Sequence, residues 1–213
     1  MSNSQNRILS IYKSRNTILE LLEEQGFDKK ENDGFTINEI DAMYSANQLD
    51  MELYHTENGK KVYVKYSLSS KHIARARPSA IDDVVEDLFS IENILTKNDT
   101  LIIIVDDEPN DTLIAKLKFI FEHDGIFVVV HNIKRLQYNI LKHALVPKCS
   151  ILNDTEIEEL KKKYSLKSLN QLPEISRFDP QALAMCVRPG QICRFERDSV
   201  TALDYDYYRI CIQ

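Results

Sequence analysis

Three acidic residues, Asp106, Asp107 and Glu108, directly follow the hydrophobic run at residues 101–105. Carboxylates just beyond the end of a buried parallel strand are where α/β enzymes place metal ions. With Lys65 on a neighbouring predicted strand, the set resembles nucleases that use two acids and a lysine. Those enzymes carry an acid two residues before the lysine, a position that Tyr63 occupies here. Two interpretations stay open: a metal-dependent nuclease-like N-terminal domain, and a solvated loop with a helix cap.

A second candidate for chemistry is a basic segment. Residues 58–81 contain no acid and six basic residues, which are Lys60, Lys61, Lys65, Lys71, Arg75 and Arg77. Such a segment can neutralise several phosphates, and it would then position DNA without reading its sequence. The alternative is an ordinary solvated hairpin and loop.

The remaining reactive residue types form no recognisable site. The five histidines are scattered, and the four cysteines, all in the last third, show neither zinc-ligand spacing nor a nearby histidine pair. The interior of a cell keeps thiols reduced, so we expect the four cysteines to be free. Tyr205, Tyr207 and Tyr208 could stack on bases, but at strand spacing they are more typical of core and interface aromatics. Among these residue types we predict no catalytic residue, no metal ligand and no cofactor site.

Composition and charge narrow the class of protein. The 213 residues are 43% hydrophobic and 28% charged, which is typical of a globular protein, and no apolar run reaches the length of a membrane span. The polar N-terminus is unlike a signal peptide, so we expect an intracellular protein without a membrane partner. The net charge of −6 falls entirely before residue 144. A field of that sign does not favour general nucleic-acid binding.

The first two thirds alternate between helical and strand patterns. Apolar residues at helical spacing predict a helix over residues 8–25, and Thr36 with Glu39 forms a capping box before a second helix. A hairpin around Asn58-Gly59, a helix from Pro78, buried strands at 101–105 and 126–130, and a helix at 111–122 follow. The order predicts a mixed α/β domain over residues 1–143.

The last third has its own signals. Asp179 before Pro180 predicts a helix start, because the carboxylate caps free amides and proline needs no donor at the first helical position. Pro189-Gly190 is turn chemistry. Two β-rich runs beyond it predict a hairpin with a long loop. We expect a small α+β domain over residues 144–213.

The same stretch carries short motifs in a fixed order. It resembles the C-terminal assembly domain of the fifth subunit of eukaryotic RNA polymerases, a domain that by itself forms the whole of the archaeal counterpart. The matching residues are Pro147, Pro173, Asp179, Pro180, Gly190, Arg197, Ser199, Thr201, Tyr208 and Arg209. Three positions depart from the family: Cys149 replaces a histidine, Pro189 separates Arg188 from Gly190, and Leu203 stands where a glycine is usual.

A weaker resemblance covers the first part. Arg15, Thr17 and Ile18, with Gln25-Gly26-Phe27 and the two hydrophobic strands, are similar to the N-terminal jaw domain of the eukaryotic members. By this resemblance the loop with Pro109 is a tip that faces downstream DNA.

The resemblance implies a non-catalytic subunit of a multisubunit DNA-directed RNA polymerase. Its C-terminal domain would dock on the largest subunit, and its N-terminal domain would form part of the jaw around downstream double-stranded DNA. Other partners would be neighbouring small subunits. The location would be the nucleus for a cellular protein, or the virion or host cell for a viral one. The drift from the common motifs makes a large DNA virus a plausible source.

Overall fold

The computed structural model describes residues 3–68, 78–199, 201 and 203–213. Contacts divide the chain into two compact units, Met1–Asn139 and Ile140–Gln213. Both units combine helices with a four-stranded sheet, which confirms the predicted mixed α/β class.

Two helices open the N-terminal unit. Helix α1, Asn3–Glu24, is the predicted amphipathic helix, and its apolar stripe is buried. Helix α2, Ile37–Ser45, begins at the predicted capping box, in which Thr36 and Glu39 each bind the other's backbone amide. This box satisfies donors that the first helical turn leaves free.

A four-stranded sheet lies at the centre of this unit, in the order β1-β2-β3-β4. Strands β1 and β2 form the predicted antiparallel hairpin, and β2, β3 and β4 run parallel. All residues of β3 and β4 are buried, as expected of parallel strands covered on both faces. The bounds are β1 Met51–Tyr54, β2 Lys61–Ser67, β3 Thr100–Val105 and β4 Phe127–Asn132.

The described parts of both crossovers in this sheet contain helices. Helix α3, Pro78–Glu86, continues into a π-helical turn, Asp87–Ile91, which the sequence did not predict. Helix α4, Asp111–Asp124, joins β3 to β4 and ends at Gly125, whose φ of 71° is left-handed. Two short 3₁₀ turns, Ile133–Gln137 and Ile140–Lys142, follow β4.

A buried arginine ties α1 to the segment that leads into β1. Arg15 is 1% exposed, and its guanidinium donates to the Leu49 carbonyl at 2.9 Å and to Asn32 Oδ1 at 3.4 Å. The same guanidinium lies 5.3 Å from the centroid of the Phe35 ring. Burial lowers the pKa of Arg15, because a low dielectric disfavours its charge. Arg15 is therefore held by hydrogen bonds and an aromatic face.

The C-terminal unit has a second sheet, in the order β5-β7-β8-β6. Strand β8 is central: it runs antiparallel to β7 and parallel to β6. The bounds are β5 Lys148–Ile151, α5 Asp154–Tyr164, a 3₁₀ turn Leu169–Gln171, β6 Glu174–Ser176, α6 Pro180–Ala184, β7 Ile192–Ser199 and β8 Leu203–Ile212.

Each face of this sheet has its own apolar cluster. Ala182 of α6 packs with Phe195, Cys193 and Cys211 on one face, and Leu160 of α5 packs with residues such as Ile192. The two helices thus contribute to different clusters, and the small sheet is covered by both.

The hairpin loop differs from the prediction. The expected long loop is wrong, because β7 and β8 remain paired as far as Ser199 and Leu203. Beyond Phe195 the strands are mostly exposed and carry charged side chains, so the hydrophobic alternation that marks a strand is missing there.

Among the described residues, no helix is long and apolar enough to cross a membrane.

We expect Arg15→Ala to lower the free energy of unfolding by about 3 kcal/mol or more, because it leaves a cavity and removes the donor of the Leu49 carbonyl. Urea denaturation of the full chain measures this. The control is Arg135→Ala, which removes a half-exposed arginine paired with Glu108. That change should cost less than about 1 kcal/mol. Equal losses for both variants would contradict the structural role of Arg15.

Candidate nucleic-acid and assembly surfaces

The acidic turn after β3 is held by arginines. Both carboxylate oxygens of Asp106 accept from the Arg7 guanidinium of α1, with Nη2 2.8 Å from Oδ2. This pairing raises the pKa of Arg7, chiefly through the hydrogen bond to Asp106. The Asn132 side chain donates to the Asp106 carbonyl at 3.2 Å. Asp106 is thereby fixed as the acceptor of an arginine, a role that competes with metal ligation.

Glu108 is paired in the same way. Arg135 places Nη2 2.8 Å from one carboxylate oxygen and Nε 3.1 Å from the other. Pro109 is partly buried, and Asn110 caps α4 by accepting from the Leu113 amide at 2.9 Å. The turn therefore has the geometry of a loop that leads into a helix cap, which was one of the two interpretations from sequence.

The third member of the nuclease-like set points elsewhere. Lys65 Nζ lies 3.4 Å from Asp50 Oδ2, and Lys65 is in register with Ile103, three residues before Asp106. Three residues of strand span about 10 Å. Among the described residues, no group of three His, Cys, Asp or Glu side chains could hold a metal ion. The geometry does not bring the two-acid-and-lysine set together.

Part of the basic segment is neutralised by the neighbouring strand. Lys61 Nζ lies 3.1 Å from a carboxylate oxygen of Glu52 and 5.1 Å from the centroid of the Tyr54 ring. Lys65 forms a similar ion pair with Asp50. The hydrogen bond with Glu52 raises the pKa of Lys61. These acids precede the segment that contains no acid, and the hairpin register brings them back to it. The register of the predicted hairpin could therefore have identified these acidic partners from the sequence.

Of the other four basic residues, only Lys60 lies within the described part of the chain. Lys60 is exposed in the hairpin turn and forms no ion pair with any residue in the described ranges. Lys71, Arg75 and Arg77 lie outside the described residues. Lys60 is therefore the described member whose charge is open to a phosphate.

The assembly motif gathers around the central strand β8. The Pro173 carbonyl accepts from the Ile210 amide at 2.9 Å, and the Gly190 amide donates to the Cys211 carbonyl at 2.8 Å. Gly190 has a φ of 90°, a conformation that a Cβ would strain. Two motif segments that are distant in sequence thus attach to the last strand through backbone groups.

A second pair of motif segments meets at α6. Asp179 caps the helix by accepting from the Gln181 amide at 2.9 Å, and Pro180 is its first residue, as predicted. The Gln181 side chain donates to the Pro147 carbonyl at 2.7 Å. This bond connects the start of α6 to the residue just before β5.

Arginines and tyrosines alternate on one face of the β7–β8 hairpin. The guanidinium groups of Arg197 and Arg209 lie 4.9 Å and 5.3 Å from the Tyr207 ring centroid, and Tyr205 is 42% exposed. On the opposite face, Tyr208 donates to Asp206 at 3.2 Å. Close to the turn, the hydroxyl groups of Ser199 and Thr201 are 3.3 Å apart. Tyr207 and Tyr208 are half-buried in contact with the two apolar clusters, whereas Tyr205 is not.

The departures from the family motif have structural consequences. Leu203 has a φ of 61° and is 85% exposed. A left-handed conformation costs a non-glycine residue about 1–2 kcal/mol. Leu203 therefore adopts a backbone conformation that glycine tolerates at lower energetic cost. The pKa of the Cys193 thiol is raised, mainly by its hydrogen bond with Cys149 and to a lesser extent by burial.

The four cysteines are free thiols. Burial raises the pKa of Cys186 and of Cys211 to about 12, which keeps both protonated at neutral pH. Because the thiolate is the reactive form, these side chains behave as core residues.

Known proteins resemble this chain in two ways. Residues 138–211 match the family described as RNA polymerase Rpb5, C-terminal domain. The DNA-directed RNA polymerase subunit Rpo5 of Thermococcus kodakarensis is 42% identical over 77 residues, which are 36% of this chain and 93% of that protein. The subunit Rpo5 of Nitrosopumilus maritimus is 39% identical over 80 residues, which are 95% of its length.

A plant relative extends over both units. The Arabidopsis thaliana protein named DNA-directed RNA polymerases IV and V subunit 5B is 27% identical over 190 residues, which are 86% of this chain and 81% of that protein. The family match at residues 138–211 spans nearly all of the C-terminal unit, Ile140–Gln213. The chain belongs to the family of the fifth subunit of DNA-directed RNA polymerases.

Proposed function

We propose that the chain is a non-catalytic subunit of a multisubunit DNA-directed RNA polymerase, and that its C-terminal unit docks on the largest subunit. The observation that carries the proposal is the match to archaeal Rpo5, which covers 93% of that subunit, together with the family match at residues 138–211, which spans nearly all of the C-terminal unit. Because the matched region is almost the whole of the archaeal subunit, we expect it to be sufficient for assembly with the other polymerase subunits. The chemistry of polymerisation then belongs to other subunits.

The β7–β8 hairpin supplies the docking surface in this proposal. Strand β5 pairs with β7 only over Cys193–Glu196 and β6 pairs with β8 only over Ile210–Ile212, so the outer part of the hairpin has two open edges. One face of that outer part carries Arg197 and Tyr205, both exposed. Arginine and tyrosine are enriched in protein interfaces, and open strand edges supply backbone hydrogen bonds to a partner.

The N-terminal unit would form part of the jaw that holds downstream double-stranded DNA. The plant relative supports this assignment because its similarity extends beyond the C-terminal unit. Within the unit, the open charge of Lys60 and the sequence of the basic segment favour phosphate contacts. Pro109 and the acidic turn would lie near the DNA, and the arginine pairs at Asp106 and Glu108 would reduce the repulsion between this turn and the phosphates.

The partners and the location follow from the proposed assembly. The chain would contact the largest subunit, neighbouring small subunits and downstream DNA. The location would be inside a cell, in the nucleus for a nuclear enzyme, or the virion or infected cell for a viral one.

Deleting residues 208–213 should abolish co-purification with the large polymerase subunits. The deletion removes every β8 residue that pairs with β6 and so disrupts the sheet. The measurement is affinity purification of the tagged chain followed by identification of the subunits that it retains. The control removes residues 1–6, an equal length outside the C-terminal unit, and should retain them. A truncated chain that still brings down the large subunits would refute this role of β8.

A variant that preserves the fold separates docking from folding. Arg197→Glu with Tyr205→Ser changes two exposed side chains of the hairpin, so thermal unfolding should be almost unaffected. We expect recovery of the large subunits to fall about tenfold or more, since a repulsive charge replaces an interface anchor. Undiminished recovery would show that this face is not the docking surface.

Replacing Lys60, Lys71, Arg75 and Arg77 with serine should weaken the hold of the assembled polymerase on downstream DNA. Each lost phosphate contact should lower the slope of log K against log salt by about 0.9, equally for any DNA sequence. Affinities for long and short DNA scaffolds, measured at several salt concentrations, test this. Activity on a short scaffold without downstream duplex should be unchanged.

Two controls sharpen the comparison. Serine at four exposed lysines elsewhere, Lys13, Lys30, Lys163 and Lys167, changes the net charge equally and should leave the slope as it is. Lys61→Ser should affect the slope little, because Glu52 already neutralises that lysine. An unchanged slope for the first variant on the long scaffold would assign the basic segment to an ordinary solvated surface.

A further inference from the structure

A cleft of about 620 Å³ opens in the N-terminal unit beside the π-helical turn. It lies between the end of α3, the loop before β3 and the segment that leads from α4 into β4. Its apolar lining consists of Val85, Phe89, Leu95 and Ile126. Apolar surface in a concave site with a few polar groups is typical of a binding site.

The π-helical turn shapes this cleft. The Glu92 amide donates to the Asp87 carbonyl at 2.8 Å, a bond that spans five residues instead of four. The Leu88 carbonyl then accepts from the amides of both Ile94 and Leu95, at 3.0 Å and 3.2 Å. The extra residue buries Leu88 in the core and leaves Phe89 half-buried in the cleft. Single π turns within helices occur frequently at functional sites.

The rim of the cleft is mostly acidic. Asp82, Glu86 and Asp124 line it together with one basic residue, Lys97. Asp82 is paired with Lys116 at 2.9 Å. Glu86 and Asp124 are exposed and form no ion pair within the described part of the chain. Two carboxylates thus face solvent beside an apolar floor, without a cation of their own.

We propose that this cleft binds a short lysine- or arginine-rich segment of a partner protein. One large apolar side chain of that segment would enter between Phe89 and Ile126, and flanking cations would meet Glu86 and Asp124. Charge complementarity selects this occupant, since the rim repels phosphates and other anions. The apolar floor selects a peptide over a bare cation. The cleft shares no residue with the proposed docking and DNA surfaces, so this proposal does not depend on them.

The test uses the full chain and a fluorescent peptide with the sequence Lys-Lys-Phe-Lys-Lys between glycines, with affinity measured by anisotropy. We expect Glu86→Lys with Asp124→Lys to weaken binding about tenfold or more, because two attractions become repulsions. Phe89→Ser should weaken it to a similar extent. A peptide with serine in place of phenylalanine should bind the unaltered chain about tenfold more weakly.

The matched control reverses two exposed acids elsewhere, Glu31→Lys with Glu57→Lys, and so changes the net charge by the same amount. Its affinity should stay within about twofold of the unaltered chain, because distant exposed charges are screened. Circular dichroism checks that both double variants are folded. Equal weakening in the two variants would assign binding to the overall negative field and overturn the proposal. Equal affinity for the two peptides, or no binding to the unaltered chain, would also overturn it.

Discussion

The C-terminal unit depends on the pairing of its last strand. Strand β8 lies between β7 and β6, and it also receives the Gly190 turn and the Pro173 carbonyl through backbone hydrogen bonds. Strand β8 therefore completes the sheet, because it provides hydrogen-bond partners for backbone groups of β6, β7 and the Gly190 turn. Several segments of the motif predicted from the sequence attach to β8 or to the start of α6.

In the N-terminal unit, ion pairs decide what the charged residues can do. Arg7 and Arg135 bind the acids after β3, while Asp50 and Glu52 bind Lys65 and Lys61. Each ion pair makes its charged side chains less available to bind a metal ion or a phosphate. Two of the three carboxylates after β3 are thereby neutralised, and the hairpin loses part of its positive field. The charges that remain open to partners include those of Lys60 and of Glu86 and Asp124 on the rim of the π-turn cleft.

Local signals in the sequence were sufficient for most elements. The capping box at Thr36, the Asp179 cap, the buried strands and the β1–β2 hairpin were predicted, since each depends on residues a few positions apart. The π-helical turn has no comparable sequence signature, and its residues fit an α-helical pattern equally well. The ion pairs were missed because they join residues through register or across the fold, as Arg7 and Asp106 do. The exposed half of the β7–β8 hairpin was taken for a loop because its charged residues lack a buried face.

The most direct test of the proposed subunit role is cross-linking of the intact chain within the complex that it forms. Lysine-reactive cross-linking with mass spectrometry identifies which residues contact which partner. We expect cross-links from lysines of the C-terminal unit, such as Lys148 and Lys167, to the largest subunit of an RNA polymerase. A chain that purifies alone, or that cross-links only to proteins outside a polymerase, would contradict this role.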